Sequence, residues 1–253
     1  MTRLSEYLFS LFPQKEHLFV CFTGGGGKTT ALQILSSYLK ESGKSVLLTT
    51  TTKFQNPSHY SWKADYCFTS EEEALSFNPE VFKDEGCVVV YGEYYSPEKL
   101  SSPSMETLSL LKERFDVVLC EADGSRGLPF KVHSERDPVI PPFTDFVVSI
   151  IGADGALKAV KETTFGLENL ERPLSPEALA DELFLSLLVT DKEGFFKGTE
   201  VGKRALLLNR ADKCKEEKTN VFLNTKWPSD CAIIYASVQQ DLLYSLIQRG
   251  KNK

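Results

Sequence analysis

The chain has 253 residues, 42% of them hydrophobic and 25% charged, which suits one large globular α/β domain with room for a smaller appendage. Its formal net charge of −6 argues against a nucleic-acid surface, and no apolar run nears the ~18–20 residues of a membrane span. The six cysteines show no C-x-x-C spacing and read as reduced thiols, four of them (Cys21, Cys87, Cys120 and Cys231) in strand-like runs. With Glu6 and no cleavage-like site in the first dozen residues, no signal peptide is expected, and the expected location is cytoplasmic.

Residues 3–12 carry Leu4, Leu8, Phe9, Leu11 and Phe12 near helical spacing before Pro13, which predicts a short helix. Leu18-Phe19-Val20-Cys21-Phe22 then runs through Thr23 into Gly24-Gly25-Gly26-Gly27-Lys28-Thr29-Thr30. That order reads as strand, bare-backbone turn, helix. Glycine lets the backbone wrap an anion closely, so the amides of Gly24 to Gly27 are expected to point at phosphates. The helix opening at Lys28 adds its positive end. Lys28 supplies a charge for the β and γ phosphates, and the Thr29 hydroxyl suits Mg²⁺. One position departs from G-x-x-x-x-G-K-[ST]: Phe22 stands where the first glycine belongs.

Ala31, Leu32, Ile34, Leu35, Tyr38 and Leu39 predict an amphipathic helix ending near Gly43. Ser45–Thr49 predicts a second strand, completing a βαβ unit. It runs into Thr49-Thr50-Thr51-Thr52-Lys53, a cluster at the strand end where doubly wound sheets bind ligands. The run reads equally as a β-branched strand extension. Irregular structure around a short strand near Cys67-Phe68 follows. Cys87–Tyr91 then predicts a strand, and Pro103–Arg114 a helix capped by Ser102.

Phe115–Cys120 is an apolar strand ending in Glu121-Ala122-Asp123-Gly124-Ser125-Arg126-Gly127. A carboxylate at the end of a strand beside a phosphate loop is what Mg²⁺ binding needs, and Glu121 and Asp123 share one face if the pleat persists. One is expected to hold the metal while the other orients water. The alternative is a polar strand exit, since Asp-Gly is common turn chemistry. The proline-stiffened stretch 127–143, with Lys131 and His133, is a candidate switch or substrate loop together with Thr51, Thr52, Lys53, Ser125 and Arg126. Metal ligation is a minority reading for His133.

Phe146–Ile151 predicts a buried strand, and residues 152–198 a mainly helical insertion in which Leu179, Leu183, Phe184, Leu187 and Leu188 face the core. Ala205–Leu208 is a strand ending in Asn209-Arg210-Ala211-Asp212, similar to the N-K-x-D element of GTP-binding proteins. There the aspartate accepts from the guanine donors, the asparagine braces the loop and the basic stem lies over the base. Arg210 replaces the usual lysine. Ala232–Ser237 is expected to be the last strand, followed by a terminal helix over 238–249 and a basic tail.

These stretches together resemble the selenium-dependent molybdenum hydroxylase accessory family (YqeC-like proteins). The resemblance lies in Phe22–Thr30, the Leu48-to-Lys53 threonine run, Glu121-Ala122-Asp123-Gly124-Ser125-Arg126-Gly127-Leu128-Pro129 with its continuation to Pro141, and Leu208–Asp212. It implies a P-loop NTPase-like three-layer α/β fold with a mostly parallel sheet, and a role in maturing selenium-containing molybdenum hydroxylases or their cofactor. Where that family leads one to expect H-R-P-E, this chain has Glu171-Arg172-Pro173-Leu174, and no role is carried onto it. The glycine loop also resembles the G-G-x-G-K-T-T type of dimeric cofactor-delivery ATPases and GTPases. Their trans-acting lysine position is Thr23 here, so that mechanism is not supported.

The expectation is therefore a Mg²⁺-dependent nucleoside triphosphate-binding protein and slow NTPase, GTP favoured over ATP. Its partner is expected to be a molybdenum hydroxylase or cofactor-handling protein. A non-hydrolysing carrier of a phosphate-bearing cofactor such as molybdopterin, and a P-loop kinase or nucleotidyl transferase, remain open. A dinucleotide-binding dehydrogenase does not fit, because Thr29 occupies the last position of G-x-G-x-x-G and strand two ends in threonines.

Overall fold

The computed structural model describes residues 2–57 and 64–247. In its first half the strands are β1 (Leu18–Gly24), β2 (Ser45–Thr50), β3 (Lys53–Gln55), β4 (Tyr66–Phe68), β5 (Cys87–Tyr91), β6 (Glu93–Ser96), β7 (Lys99–Ser101) and β8 (Val117–Glu121). Then come β9 (Phe130–Lys131), β10 (Phe146–Gly152), β11 (Thr164–Phe165), β12 (Arg204–Asn209), β13 (Ala232–Ser237) and β14 (Leu242–Leu246). The helices are α1 (Leu4–Ser10), α2 (Lys28–Glu41), α3 (Glu71–Ser76), α4 (Met105–Lys112), α5 (Val160–Thr163), α6 (Glu182–Thr190) and α7 (Glu216–Asn224).

Nine strands form one sheet in the order β14-β13-β12-β10-β1-β8-β2-β5-β4, parallel throughout except for β14. The glycine-loop strand β1 lies inside it, with Phe22 opposite Glu121 of β8 and Val148 of β10. Side chains alternate across the pleat. Val20 and Phe22 of β1 pack against α1 and α2 through Leu8, Leu32 and Leu35, while Phe19 and Cys21 face Leu108 and Leu111 of α4. Further along that second face, Leu206 and Leu208 meet Phe184 and Leu188 of α6 and Phe222 of α7. The result is a three-layer α/β fold of the P-loop kind. A small antiparallel sheet, β3-β7-β6, stands beyond the end of β2.

Phe22 is explained by this register. It is fully buried inside β1, which continues to Gly24, so the free turn is short and that position belongs to the core. Thr23 is also buried, its hydroxyl paired with Ser149 Oγ at 3.0 Å.

Three expected elements differ. Residues 242–246 pair antiparallel with β13, in place of a terminal helix. The edge of β13 offers unpaired backbone groups, and a short apolar run such as Leu242-Leu243-Tyr244 satisfies strand and helix patterns alike. The cap of α4 is Ser104, which accepts from Thr107 N, and Ser102 lies outside the helix. In the 152–198 stretch, α6 starts at Glu182 under an Asp181 cap and buries Phe184, Leu185 and Leu188, whereas Leu179 and Leu183 are exposed. That stretch contains short helices together with β11. The basic tail and the last residues of the expected helix lie outside the described residues. No described helix is long and apolar enough to cross a membrane.

Candidate functional site

The carboxyl ends of β1, β8 and β2 open into a cleft of about 810 Å³, lined by Gly26 to Thr30, Thr52 to Gln55, Lys99, Glu121, Gly124 to Gly127, Phe165 and Arg210. At its base the loop from Gly24 to Gly27 is packed against backbone. A Cβ on Gly24 would come within 2.3 Å of Ile150 O, one on Gly25 within 2.3 Å of Leu128 O, and one on Gly26 within 2.3 Å of Gly152 N. Gly24, Gly26 and Gly27 also hold positive φ. Glycine is required here before any ligand arrives.

The loop amides are divided into two sets. Gly24 N donates to Asp123 Oδ2 at 2.7 Å, Gly25 N to Ile150 O at 2.8 Å and Gly26 N to Leu128 O at 3.1 Å. Helix α2 makes its first i to i−4 bond from Ala31 N to Gly27 O, so the amides of Gly27, Lys28, Thr29 and Thr30 lack intrahelical acceptors. These four, with the helix dipole, make an electropositive end suited to an anion.

Lys28 is buried and lies 2.9 Å from Asp123 Oδ1 and 3.9 Å from Glu121 Oε1, and its Nζ donates to Gly24 O. Burial opposes its charge, but Asp123 and Glu121 outweigh that and hold its pKa above the ordinary lysine value. Thr29 donates its hydroxyl to Glu121 Oε2 at 3.0 Å. Burial pushes the Glu121 carboxyl up, against the pull of Lys28 and the Thr29 hydrogen bond.

Asp123 is fully buried and surrounded by donors. Besides Gly24 N and Lys28, its Oδ2 faces His133 Nε2 at 2.8 Å and Lys131 Nζ at 3.6 Å. Burial opposes its ionisation, but Lys28, His133 and Lys131 hold its pKa well below the usual carboxylate range. His133 is anchored from behind by the carbonyls of Gly194 and Glu193, at 2.9 and 3.2 Å from Nδ1. Lys131 also donates to Gly124 O at 2.6 Å and pairs with Asp137.

On the far side of the loop, Asn209 Nδ2 donates to Gly26 O at 2.7 Å, while Oδ1 accepts from Arg210 N at 2.7 Å and Val238 N at 2.8 Å. One side chain thus ties the glycine loop to the ends of β12 and β13. A second hollow of about 330 Å³ lies there, lined by Gly27, Thr30, Asn209, Arg210, Asp212 and Ser237 among others. Asp212 is exposed, and the buried Ser237 hydroxyl has no hydrogen-bond partner among the described residues.

A family model described as YqeC protein matches residues 20–168. The chain is also 30% identical over 228 residues to the uncharacterized protein YqeC of Escherichia coli (strain K12), covering 83% of each chain. The chain belongs to the YqeC family. The segment matched by the YqeC model contains the glycine loop, the acidic end of β8 and the Gly124–Gly127 turn, and it stops before Asn209.

Several expectations change in this YqeC-family structure. The amides of Gly24, Gly25 and Gly26 are spent inside the protein, so the set without a backbone acceptor starts at Gly27. Asp123 does not line the cleft: it is fully buried, with Gly24 N, His133 and Lys131 at Oδ2 and the Lys28 ammonium at Oδ1, which accepts no hydrogen bond from the described residues. Lys131 and His133 do not belong to an exposed switch loop, being 1% exposed each and fastened to Asp123. Both ring nitrogens of His133 are occupied, which also removes it as a metal ligand. Thr51 is buried, and its hydroxyl donates to Val139 O, tying β2 to the 127–143 stretch. Thr52, Lys53, Ser125 and Arg126 do line the cleft.

Arg210 takes a left-handed φ of 66°, and its guanidinium pairs with Asp154 at 3.1 Å, so it is not a free stem over a base. Asp154 and Lys99 were not marked by sequence, and Asp137 only as part of the 127–143 stretch. The Ala153-Asp154-Gly155 turn after a buried strand was the available signal for Asp154; nothing distinguished Lys99.

Proposed function

We propose that this YqeC-family chain is a Mg²⁺-dependent nucleoside triphosphate-binding protein and a slow NTPase. We further propose that it serves as an accessory factor in the maturation of selenium-dependent molybdenum hydroxylases or their cofactor. The observation that carries the nucleotide reading is the Thr29–Glu121 hydrogen bond of 3.0 Å, beside Lys28 and the open amides of Gly27 to Thr30. A hydroxyl and a carboxylate form a hard oxygen pair suited to Mg²⁺, which takes few protein ligands and fills its shell with phosphate oxygens and water. Bound there, Mg²⁺ would neutralise charge on the phosphate oxygens.

The protein's own groups do the positioning. Four helix amides hold the phosphates, Lys28 offers a cation already oriented by Asp123, and Asn209 keeps Gly26 in register. Asp123 is buried away from the cleft, so no second carboxylate stands open beside Glu121 to orient water. A slow rate follows. GTP is favoured over ATP because Asp212 stands exposed in the hollow beside Gly27 and Thr30, where it can accept from the guanine donors. The maturation role is supported by family membership and the resemblance of the Glu121–Pro129 block.

Thermal-shift titration with GTP and ATP, with and without Mg²⁺, tests this reading. Stabilisation by a triphosphate that needs Mg²⁺ and disappears in Lys28→Ala is the expected result; no stabilisation by any triphosphate overturns it. Phosphate release by wild type above that of Lys28→Ala separates a hydrolase from a holder.

A further inference from the structure

We propose that the cleft takes a second anion beside the triphosphate: a small molecule bearing a phosphate group, held by Lys53, Lys99, Ser125 and Arg126. The inference rests on reading Gly27–Thr30 as the triphosphate cradle, but its evidence lies on the other walls.

The first wall is the small sheet. Lys53 of β3 pairs with Ser101 of β7, and Gln55 with Lys99. Because side chains alternate, Lys53, Gln55, Lys99 and Ser101 share one face, while Phe54 and Leu100 between them are buried on the other. Lys53 and Lys99 are therefore diagonal neighbours of like charge, an arrangement that costs stability in a bare sheet. Neither forms an ion pair with a described carboxylate. Lys53 lies over the Tyr95 ring at 3.5 Å, which leaves its ammonium without a neutralising partner.

The second wall is the turn after β8. Arg126 is held at a left-handed φ of 51° with its guanidinium 5.0 Å from the centre of the Phe165 ring, and it too has no described carboxylate partner. Three unneutralised cations thus line one cleft of a protein whose net charge is −6. A phosphate dianion matches that charge better than a single carboxylate does, and the planar fork of arginine can grip it with two hydrogen bonds.

Two further features point to a ligand. Gly124 has an ordinary φ, and a Cβ placed on it would meet nothing within 4 Å. Packing therefore does not explain glycine there, unlike Gly24 to Gly26; a ligand approaching the backbone would. Its neighbour Ser125 is only 9% exposed, yet its hydroxyl makes no hydrogen bond to any described residue while lining the cleft. That hydroxyl opens into the cleft, where it can donate to a ligand oxygen.

The test is calorimetric titration of inorganic phosphate into the full chain saturated with Mg²⁺ and a non-hydrolysable GTP analogue. A phosphate site is expected that weakens roughly tenfold or more in Lys99→Ala/Arg126→Ala, since each charged hydrogen bond is worth that much. Affinity for the GTP analogue should stay close to wild type. Gly124→Val, which fills the wall without changing charge, should also lose phosphate. Methyl phosphate titrated in parallel distinguishes an esterified ligand from the free ion, and binding of either upholds the site.

No second site in the saturated protein, or one indifferent to these substitutions, overturns the proposal. So does loss of the GTP analogue in Lys99→Ala/Arg126→Ala, which would mean that the wall grips the triphosphate's own end. If no triphosphate binds, the nucleotide reading fails by itself, and the same titration in a Lys28→Ala background still decides on the second wall. Thermal melting of each variant checks that it is folded.

Discussion

Lys28 and Asp123 form a buried ion pair of 2.9 Å, and both also grip the backbone of Gly24, Lys28 by its carbonyl and Asp123 by its amide. The pair clamps the first residue of the glycine loop from both sides. Breaking a buried pair from one side leaves an uncompensated charge at a cost of about 3–5 kcal/mol. Asp123→Ala should therefore lower unfolding stability in urea by that order, with Asp123→Asn intermediate. An Asp123→Ala protein as stable as wild type would contradict the clamp.

The same residue sets an acid limit. Burial resists its charge, yet Lys28, His133 and Lys131 depress its pKa in the folded state. A depressed carboxylate contributes stability that is full above the unfolded value and lost as pH falls through the folded one. The stability advantage of wild type over Asp123→Asn should be flat from neutral pH into mild acid. It should shrink only below about pH 4, the ordinary aspartate range. Urea unfolding of both proteins across pH measures this.

Glu121 has the opposite sign. Its carboxyl is raised, mainly by burial, so its charge opposes folding at neutral pH. Glu121→Gln, with no ligand present, is expected to match wild type or exceed it by about 0.5–1 kcal/mol. The same variant should lose Mg²⁺-dependent stabilisation by triphosphate. A clearly destabilised apo variant would count against this assignment.

Gly25 tests the packing of the loop. A methyl group there meets Leu128 O at 2.3 Å, and that contact is with backbone. Gly25→Ala should cost ~2 kcal/mol or more by overpacking and should disturb the Leu128–Pro129 segment. Chemical denaturation gives the first quantity, and hydrogen exchange at Gly26, which donates to Leu128 O, reports the second.

Asn209 and Asp212 separate bracing from base reading. Asn209→Ala leaves Gly26 O and Val238 N without their side-chain partner and should cost about 1–3 kcal/mol. Asp212→Asn touches no such bond, so stability should hold while the preference for GTP over ATP falls. Competitive titration of the two nucleotides measures the change; an unaltered preference would remove Asp212 from base recognition.

The glycine loop, the helix after it and the acidic end of the strand at Val117–Glu121 were open to inspection in the sequence, because each depends on local pattern; the choice of Glu121 over Asp123 as the partner of Thr29 was not. Apolar runs of Leu18–Phe22 and Val117–Cys120 fit buried parallel strands, and a glycine run before Lys28 has few other uses. The edge strand at Leu242–Leu246 was not legible, since its conformation is chosen by the open edge of β13. The burial of Lys131 and His133 was equally hidden. In sequence they sit in a polar, proline-rich stretch, and only the Gly194 and Glu193 carbonyls, some sixty residues away, show that the stretch folds inward.

By itself, then, the sequence determined that a strand runs through a glycine turn into a helix and that another strand ends in acid, because glycine, lysine, threonine and acid in that order are local signals. Tertiary structure alone decided how those groups are divided. Gly24, Gly25 and Gly26 spend their amides on Asp123, Ile150 and Leu128, Asp123 is enclosed by Lys28, Lys131 and His133, and Gly27 to Thr30 with Glu121 are left facing the cleft. The reason is physical: a buried donor or charge must be satisfied by whatever the fold brings near it, and neighbours from distant parts of a chain are not written in local pattern.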